Sequence, residues 1–137
     1  MRDFFTISDN ACSVPFADLC KRNEEYRTYF VRRTYEASQC IHHQGTKISC
    51  FGIVESGILK AVNNTINGVE QCHSYFEAKD LFPEFLYFTG RKNYVYTLIA
   101  EKKSTVLWIP VHVLEEMLEK DQGLMYALLL YVCQRGL

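Results

Sequence analysis

Short β-rich runs, interrupted repeatedly by turn residues, constrain the fold of this chain more than any other feature. Between residues 33 and 109 the turn signals are Gly45, Ser56-Gly57, Asn63-Asn64, Asn67-Gly68 and Thr89-Gly90. The stretch NTINGVE predicts a β-hairpin, because Asn-Gly supplies the positive φ angles that a tight primed turn needs. The pattern therefore predicts a mainly β domain of about eight short strands over residues 34–110.

Helical periodicity precedes this β-rich region. Pro15 can occupy the first turn of a helix that runs to about Val31. The apolar stripe of that helix consists of Phe16, Leu19, Tyr26 and Phe30. We therefore expect an N-terminal helical segment over residues 1–33.

A helix pair is predicted over residues 111–137. Pro110 can open the first helix, and Asp121 is a suitable cap for the second, QGLMYALLLYVCQ. The second helix is apolar on nearly all sides, so it needs burial on two sides. One side can pack on the β domain, and the other predicts a homodimer. The expected dimer interface comprises Leu124, Met125, Leu128, Leu129 and Val132.

Size and charge exclude several classes of function. The 137 residues suffice for one domain, and a net charge of −1 provides no broad surface for nucleic acid. The basic pair Arg32-Arg33 is expected on a solvated face. No apolar run reaches the length of a membrane helix, and the first residues lack the apolar core of a signal peptide. We therefore expect a cytoplasmic protein without a membrane partner.

Four motifs, in their order and spacing, resemble the effector domain of Crp/Fnr transcription regulators. They are Gln44-Gly45, Ile53-Val54-Glu55-Ser56-Gly57, Gly68-Val69-Glu70 and Lys79-Asp80-Leu81-Phe82-Pro83-Glu84. The resemblance implies an α+β fold: a double-stranded β-roll of jelly-roll type that encloses a small effector, followed by a dimerisation helix. In full-length members a winged helix-turn-helix then reads DNA. We expect this chain to be the sensing part alone, without specific DNA binding of its own.

The resemblance also places the residues of the effector site. In relatives similar to the cyclic-AMP receptor protein, a Gly-Glu turn and an Arg-Ser pair hold the nucleotide. Here Pro83-Glu84 and Tyr94-Val95 occupy those positions. Proline has no N–H to donate, and neither tyrosine nor valine brings the charge that a desolvated phosphate requires. Cyclic AMP is therefore not the expected ligand.

A less charged and more aromatic effector fits the same segment better. The stretch LYFTGRKNYVY is similar to the matching part of halophenol-sensing members. In this interpretation Tyr94 and His73 would bond a hydroxyl or carboxylate, with Lys92 as counter-ion. The predicted ligand-binding residues are His73, Ser74, Phe82, Pro83, Glu84, Phe85, Lys92, Tyr94, Val95 and Tyr96.

Two other classes of protein remain open. Aromatic side chains could fill the roll and leave a pure dimerisation scaffold. A cupin-like metalloenzyme would share the architecture, but it needs His-x-His on one strand, and the sequence has none. The neighbours His42 and His43 point to opposite faces of a strand, so they cannot share an ion. We expect no metal, no cofactor, no catalytic residue and no enzyme activity.

The cysteines give a weak signal, since they are scattered without a CxxC pair. Cys40, Cys50 and Cys72 are expected to act as small hydrophobic residues. A thiol switch stays open for Cys12 or Cys20 if either is exposed.

Overall fold

Within the described residues, helices flank eight strands, as the helical and β-rich segments of the sequence predict. The computed structural model describes residues 16–64, 68–83 and 87–135, without the side chains of Asn64 and His73. The helices are α1 (Phe16–Arg22), a 3-10 helix (Glu24–Tyr29), α2 (Val111–Lys120) and α3 (Gln122–Arg135). The strands are β1 (Val31–Tyr35), β2 (Cys40–His42), β3 (Cys50–Ser56), β4 (Ile58–Asn64), β5 (Glu70–Glu77), β6 (Leu81–Phe82), β7 (Thr97–Ala100) and β8 (Ser104–Pro110).

The strands form two four-stranded antiparallel sheets. The first sheet has the order β1-β8-β3-β6, and the second has the order β2-β7-β4-β5. β4 and β5 pair as the predicted hairpin, and Gly68 of their turn has a φ of 78°. Asn67 lies outside the described residues. The two facing sheets confirm the predicted β-roll.

β8 shows why a continuous apolar run can be a strand here. Val106 and Trp108 face the second sheet, whereas Leu107 and Ile109 face the helices. All four side chains are buried. A strand that is covered on both faces needs apolar residues at every position, so the sequence STVLWIP loses the alternation of a half-exposed strand.

The outer face of the first sheet carries the helices. Phe51 and Ile53 of β3 share one buried cluster with Phe16 of α1, Leu114 of α2 and Leu124 of α3. This helical layer explains why an apolar helix such as α3 is compatible with a folded monomer. Burial of the α3 face that meets the sheet is driven by the hydrophobic effect.

The N-terminal segment differs from the single helix that its periodicity predicts. α1 ends at Arg22, and the extended backbone of Asn23 separates it from the 3-10 helix. Phe16 and Tyr26 are nevertheless both buried, so the apolar stripe survives the break. β1 begins at Val31, slightly before the predicted boundary at residue 34.

The junction between α2 and α3 follows the capping prediction. Pro110 occupies the cap position before α2. Asp121 caps α3, since its Oδ1 accepts a hydrogen bond of 3.0 Å from the Leu124 amide. In the described part of the chain, no helix combines the length and the apolar composition that a membrane span needs.

Candidate ligand-binding site

Four aromatic rings lie between the two sheets, namely those of His42, Trp108, Phe82 and Phe76. We call them the aromatic row. His42 meets Trp108 edge-on with ring centroids 5.2 Å apart. Trp108 is 5.3 Å from Phe82, and Phe82 is 5.3 Å from Phe76. The Phe82 ring lies directly over Gly52, where any side chain would collide with it. Aromatic side chains therefore occupy part of the space between the two sheets.

The structure describes only part of the predicted site segment from Phe82 to Phe85. Phe82 is fully buried in the aromatic row, and Pro83, which follows a cis peptide bond, is also buried. Glu84 and Phe85 lie outside the described residues. Phe82 thus has a packing role in the core, and its contact with a ligand stays a prediction.

Tyr94 and Val95 stand where the resemblance implies the phosphate-binding pair. The Tyr94 ring is only 2% exposed and stacks on His42 with centroids 4.7 Å apart. Its hydroxyl has no hydrogen-bond partner among the described residues. Burial raises the pKa of Tyr94, so the phenol stays neutral and can donate a proton to an acceptor. Val95 is 39% exposed and carries no polar group.

The other predicted site residues are spread over several surroundings. Tyr96 packs beside Tyr94, with centroids 5.6 Å apart, and contacts the core between the sheets. Lys92 is exposed in the preceding loop, and its carbonyl accepts a hydrogen bond from the Ile48 amide. Ser74 is partly buried on β5, whereas the side chain of His73 lies outside the description. Among these residues, the structure brings Tyr94 and Tyr96 into direct contact.

A cavity that sequence reasoning missed opens beside Tyr94, and we call it the edge pocket. It has a volume of about 260 Å³ and lies between the sheets at the β1 edge of the first sheet. Its apolar and aromatic walls are Tyr29, Val31, Tyr35, Trp108 and Pro110. Its polar lining comprises Arg33, His42, Lys47, Ser49, Cys50 and Tyr94. Of the predicted site residues that the structure describes, Tyr94 alone lines it.

Strand alternation could have revealed part of this pocket. Arg32 and Arg33 are neighbours on β1, so their side chains must point to opposite faces. Arg32 points outward and binds Glu55, with Nε and Oε1 2.6 Å apart. Arg33 lines the edge pocket instead. Both arginines are exposed, as expected of a solvated pair, but they lie on opposite faces of β1.

Polar contacts connect α3 to Asp80 and Leu81, which directly precede the predicted site residue Phe82. The Tyr131 hydroxyl donates to the carbonyl of Leu81 and accepts from its amide, both at 2.8 Å. Arg135 Nη1 lies 3.2 Å from Asp80 Oδ2, and its guanidinium stacks on Phe76 at 4.6 Å from the ring centroid. We call Tyr131, Arg135 and Asp80 the helix latch. Through Phe76, the latch touches the end of the aromatic row.

The burial of α3 corrects the predicted dimer interface. Leu124 and Leu128 are 2% and 4% exposed within the monomer, since they pack into the helical layer. They have no surface left to give to a partner. Met125 and Leu129 are 46% and 53% exposed, and Val132 is partly buried. A homodimer through this helix stays a prediction, now restricted to the last three residues.

The cysteines differ from expectation in two places. Cys40 and Cys72 are exposed, so they are not buried hydrophobic residues. Cys20 is buried, and burial raises the pKa of its thiol to about 12, which is unsuitable for a thiolate switch. Cys12 lies outside the described residues. Over residues 16–64, 68–83 and 87–135, no three His, Cys, Asp or Glu side chains are grouped to hold a metal.

Comparison with known protein families agrees with this geometry. The family model described as the cyclic nucleotide-binding domain matches residues 32–121, which is more than half of the chain. The chain belongs to the cyclic nucleotide-binding domain family. The matched range includes both sheets, the segment around Pro83 and Tyr94, and helix α2. No curated protein is matched in sequence.

Solved structures of transcription regulators share the fold of this domain. The sensor domain of the regulator DNR from Pseudomonas aeruginosa superposes with a TM-score of 0.73 at 18% identity, covering 98% of this chain and 91% of that one. A transcriptional regulator from Thermotoga maritima gives a TM-score of 0.71 at 19% identity, covering 81% and 87%. The catabolite activator protein of Thermus thermophilus gives 0.66 at 18% identity, covering 79% of this chain but only 50% of that chain. The names of these neighbours describe regulators, and their shared fold is the β-roll that the resemblance to Crp/Fnr effector domains implies.

Proposed function

We propose that this cyclic nucleotide-binding domain is the sensory part of a Crp/Fnr-type transcription regulator whose effector is not cyclic AMP. The burial of Tyr94 carries this proposal. A neutral, buried phenol and the exposed Val95 stand where the resemblance implies a guanidinium and a hydroxyl. A desolvated phosphate without such a clamp is destabilised by several kcal/mol. The effector is then an aromatic or weakly anionic small molecule. Its cytoplasmic location stays a prediction.

The aromatic row and the helix latch provide the route by which binding reaches α3. His42, Trp108, Phe82 and Phe76 follow one another in contact, and Arg135 of α3 stacks on Phe76. A ligand changes the position of α3 only if it binds two arrangements of these groups with different affinity. Through Met125 and Leu129, α3 would then alter how two copies pair and how a DNA-binding domain outside this chain is oriented.

Isothermal titration calorimetry tests the proposed ligand class. The chain is titrated with cyclic AMP and, separately, with a chlorinated phenol and a substituted benzoic acid. We expect binding of at least one aromatic compound and none of cyclic AMP at micromolar concentration. Micromolar affinity for cyclic AMP that disappears in Glu84→Ala would overturn the proposal.

A ligand-free dimerisation scaffold is a second candidate, and the aromatic packing inside the roll favours it. Phe82 and Trp108 are in contact between the sheets, where a domain without an effector would also pack aromatic side chains. The two candidates differ in one measurable property. A scaffold would show the same sedimentation behaviour with and without every compound tested, whereas a sensor would change its dimer affinity when the effector binds.

A further inference from the structure

We propose that the edge pocket binds a small apolar monocarboxylate, held by Arg33 and Lys47 at the mouth and by the Tyr94 hydroxyl inside. This inference rests on the proposed function, and it assigns the effector to a specific cavity and a chemical class. It differs from the site expected from the sequence, which centres on Glu84, His73 and Lys92. Tyr94 is common to both.

The Tyr94 hydroxyl is a buried donor without a hydrogen-bond partner among the described residues. A buried hydroxyl without a partner costs free energy, so native proteins seldom retain one unless something else satisfies it. Tyr94 is nine-tenths buried or more and lines the cavity. A ligand oxygen in the edge pocket would accept its proton.

Two further donors lie beside Tyr94. Tyr35 already accepts a hydrogen bond of 2.9 Å from the Trp108 indole, which leaves its own proton available to donate. Burial lowers the pKa of His42, so its ring is neutral near pH 7 and presents one N–H. Tyr94, Tyr35 and His42 can therefore each donate one hydrogen bond, and a carboxylate in the edge pocket can accept them.

The positive charges at the mouth of the edge pocket indicate that the ligand is an anion. Arg33 and Lys47 both line the pocket, and neither forms an ion pair with a carboxylate in the described part of the chain. Among the described residues that line the pocket there is no aspartate or glutamate. Two exposed cations without an acidic neighbour attract an anion and repel a cation.

The apolar walls and the volume of the edge pocket limit the polarity and the size of the ligand. Val31, Trp108 and Pro110 offer apolar surface, which a bare inorganic anion could not use. A cavity of about 260 Å³ is small for a ligand site and accommodates on the order of a dozen non-hydrogen atoms. A benzoate-sized acid meets both conditions, with its ring against Trp108 and its carboxylate toward the donors.

Trp108 provides a direct readout, because it is the single tryptophan of the chain and lines the pocket. The probe is 4-nitrobenzoate, whose nitro-aromatic ring quenches indole fluorescence on contact. We expect saturable quenching by this acid and much weaker quenching by the uncharged 4-nitrobenzyl alcohol. Calorimetry with the same two compounds measures binding independently of its location.

Variants assign the site. Tyr94→Phe removes one hydroxyl, while Arg33→Gln and Lys47→Gln each remove one charge from an exposed position. Each should weaken 4-nitrobenzoate binding about tenfold, in line with the loss of one charge-assisted or buried hydrogen bond. The matched control Lys102→Gln removes a charge from an exposed lysine outside the pocket and should leave binding unchanged. Circular dichroism verifies that every variant is folded.

Each other outcome overturns the inference in a recognisable way. Calorimetric binding that neither quenches Trp108 nor responds to Arg33→Gln and Lys47→Gln would place the acid elsewhere. If Lys92→Gln alone abolished that binding, the edge pocket would be wrong and the proposed sensory function would stand. Absence of binding in both assays at millimolar acid would refute the edge pocket, and the separate titrations with cyclic AMP and chlorinated phenol would still decide the proposed function.

Discussion

Removing one oxygen atom from the helix latch should measurably destabilise the domain. β6 is one of the two edge strands of the first sheet, and the Tyr131 hydroxyl satisfies both the amide and the carbonyl of Leu81 at 2.8 Å. Tyr131→Phe deletes both hydrogen bonds without changing the ring. Each is worth about 0.5–1.5 kcal/mol, so the free energy of unfolding should fall by about 1–3 kcal/mol.

Urea unfolding followed by circular dichroism measures this change. The transition midpoint should move to lower urea with an unchanged slope, since the exposed area on unfolding is the same. Tyr29→Phe is the matched control: that side chain is 50% exposed, and its hydroxyl should contribute less than about 0.5 kcal/mol. If Tyr131→Phe lost no more stability than the control, α3 would not be anchored to β6 through this hydroxyl.

Three further predictions follow from packing and charge. Gly52→Ala should cost about 1–3 kcal/mol in urea unfolding because its Cβ would overlap the Phe82 ring, whereas Gly123→Ala in α3 should change stability little. Leu129→Glu should convert a dimer to a monomer in sedimentation velocity. The control Gln134→Glu adds the same charge to the same helix and should leave the dimer intact. A monomeric wild type would contradict the predicted interface. The chain alone should give no sequence-selective gel shift at physiological salt, because a net charge of −1 supplies little counterion-release free energy.

Local sequence signals were reliable wherever local physics decides the structure. Gly57 shows this: it has a φ of 93°, and a side chain there would collide with Ser104. A turn at that position follows from the residue type alone. The Asp121 cap and the apolar run of β8 are equally local, since a single side chain or a single strand carries the information.

Contacts between distant segments were not predictable in the same way. α3 is apolar on nearly all sides, so its sequence could not reveal that Leu124 and Leu128 face the helical layer while Leu129 faces outward. The edge pocket depends on sheet order, because β1 pairs with β8 and β2 pairs with β7. Those pairings bring Arg33 and His42 to one cavity. The spacing of residues in the sequence does not reveal which strands will pair.

In the proposed sensing function, a guest in the edge pocket would act on α3 through the aromatic row. The Phe82 ring lies against Gly52, so it cannot move toward β3 without a collision. A guest in the edge pocket would contact Trp108, whose other neighbours are Phe82, His42 and Tyr35. In that function, a displacement of Trp108 would pass through Phe82 to Phe76, because close-packed rings have little space in which to absorb it. The displacement ends at Phe76, where Arg135 attaches α3 to the roll.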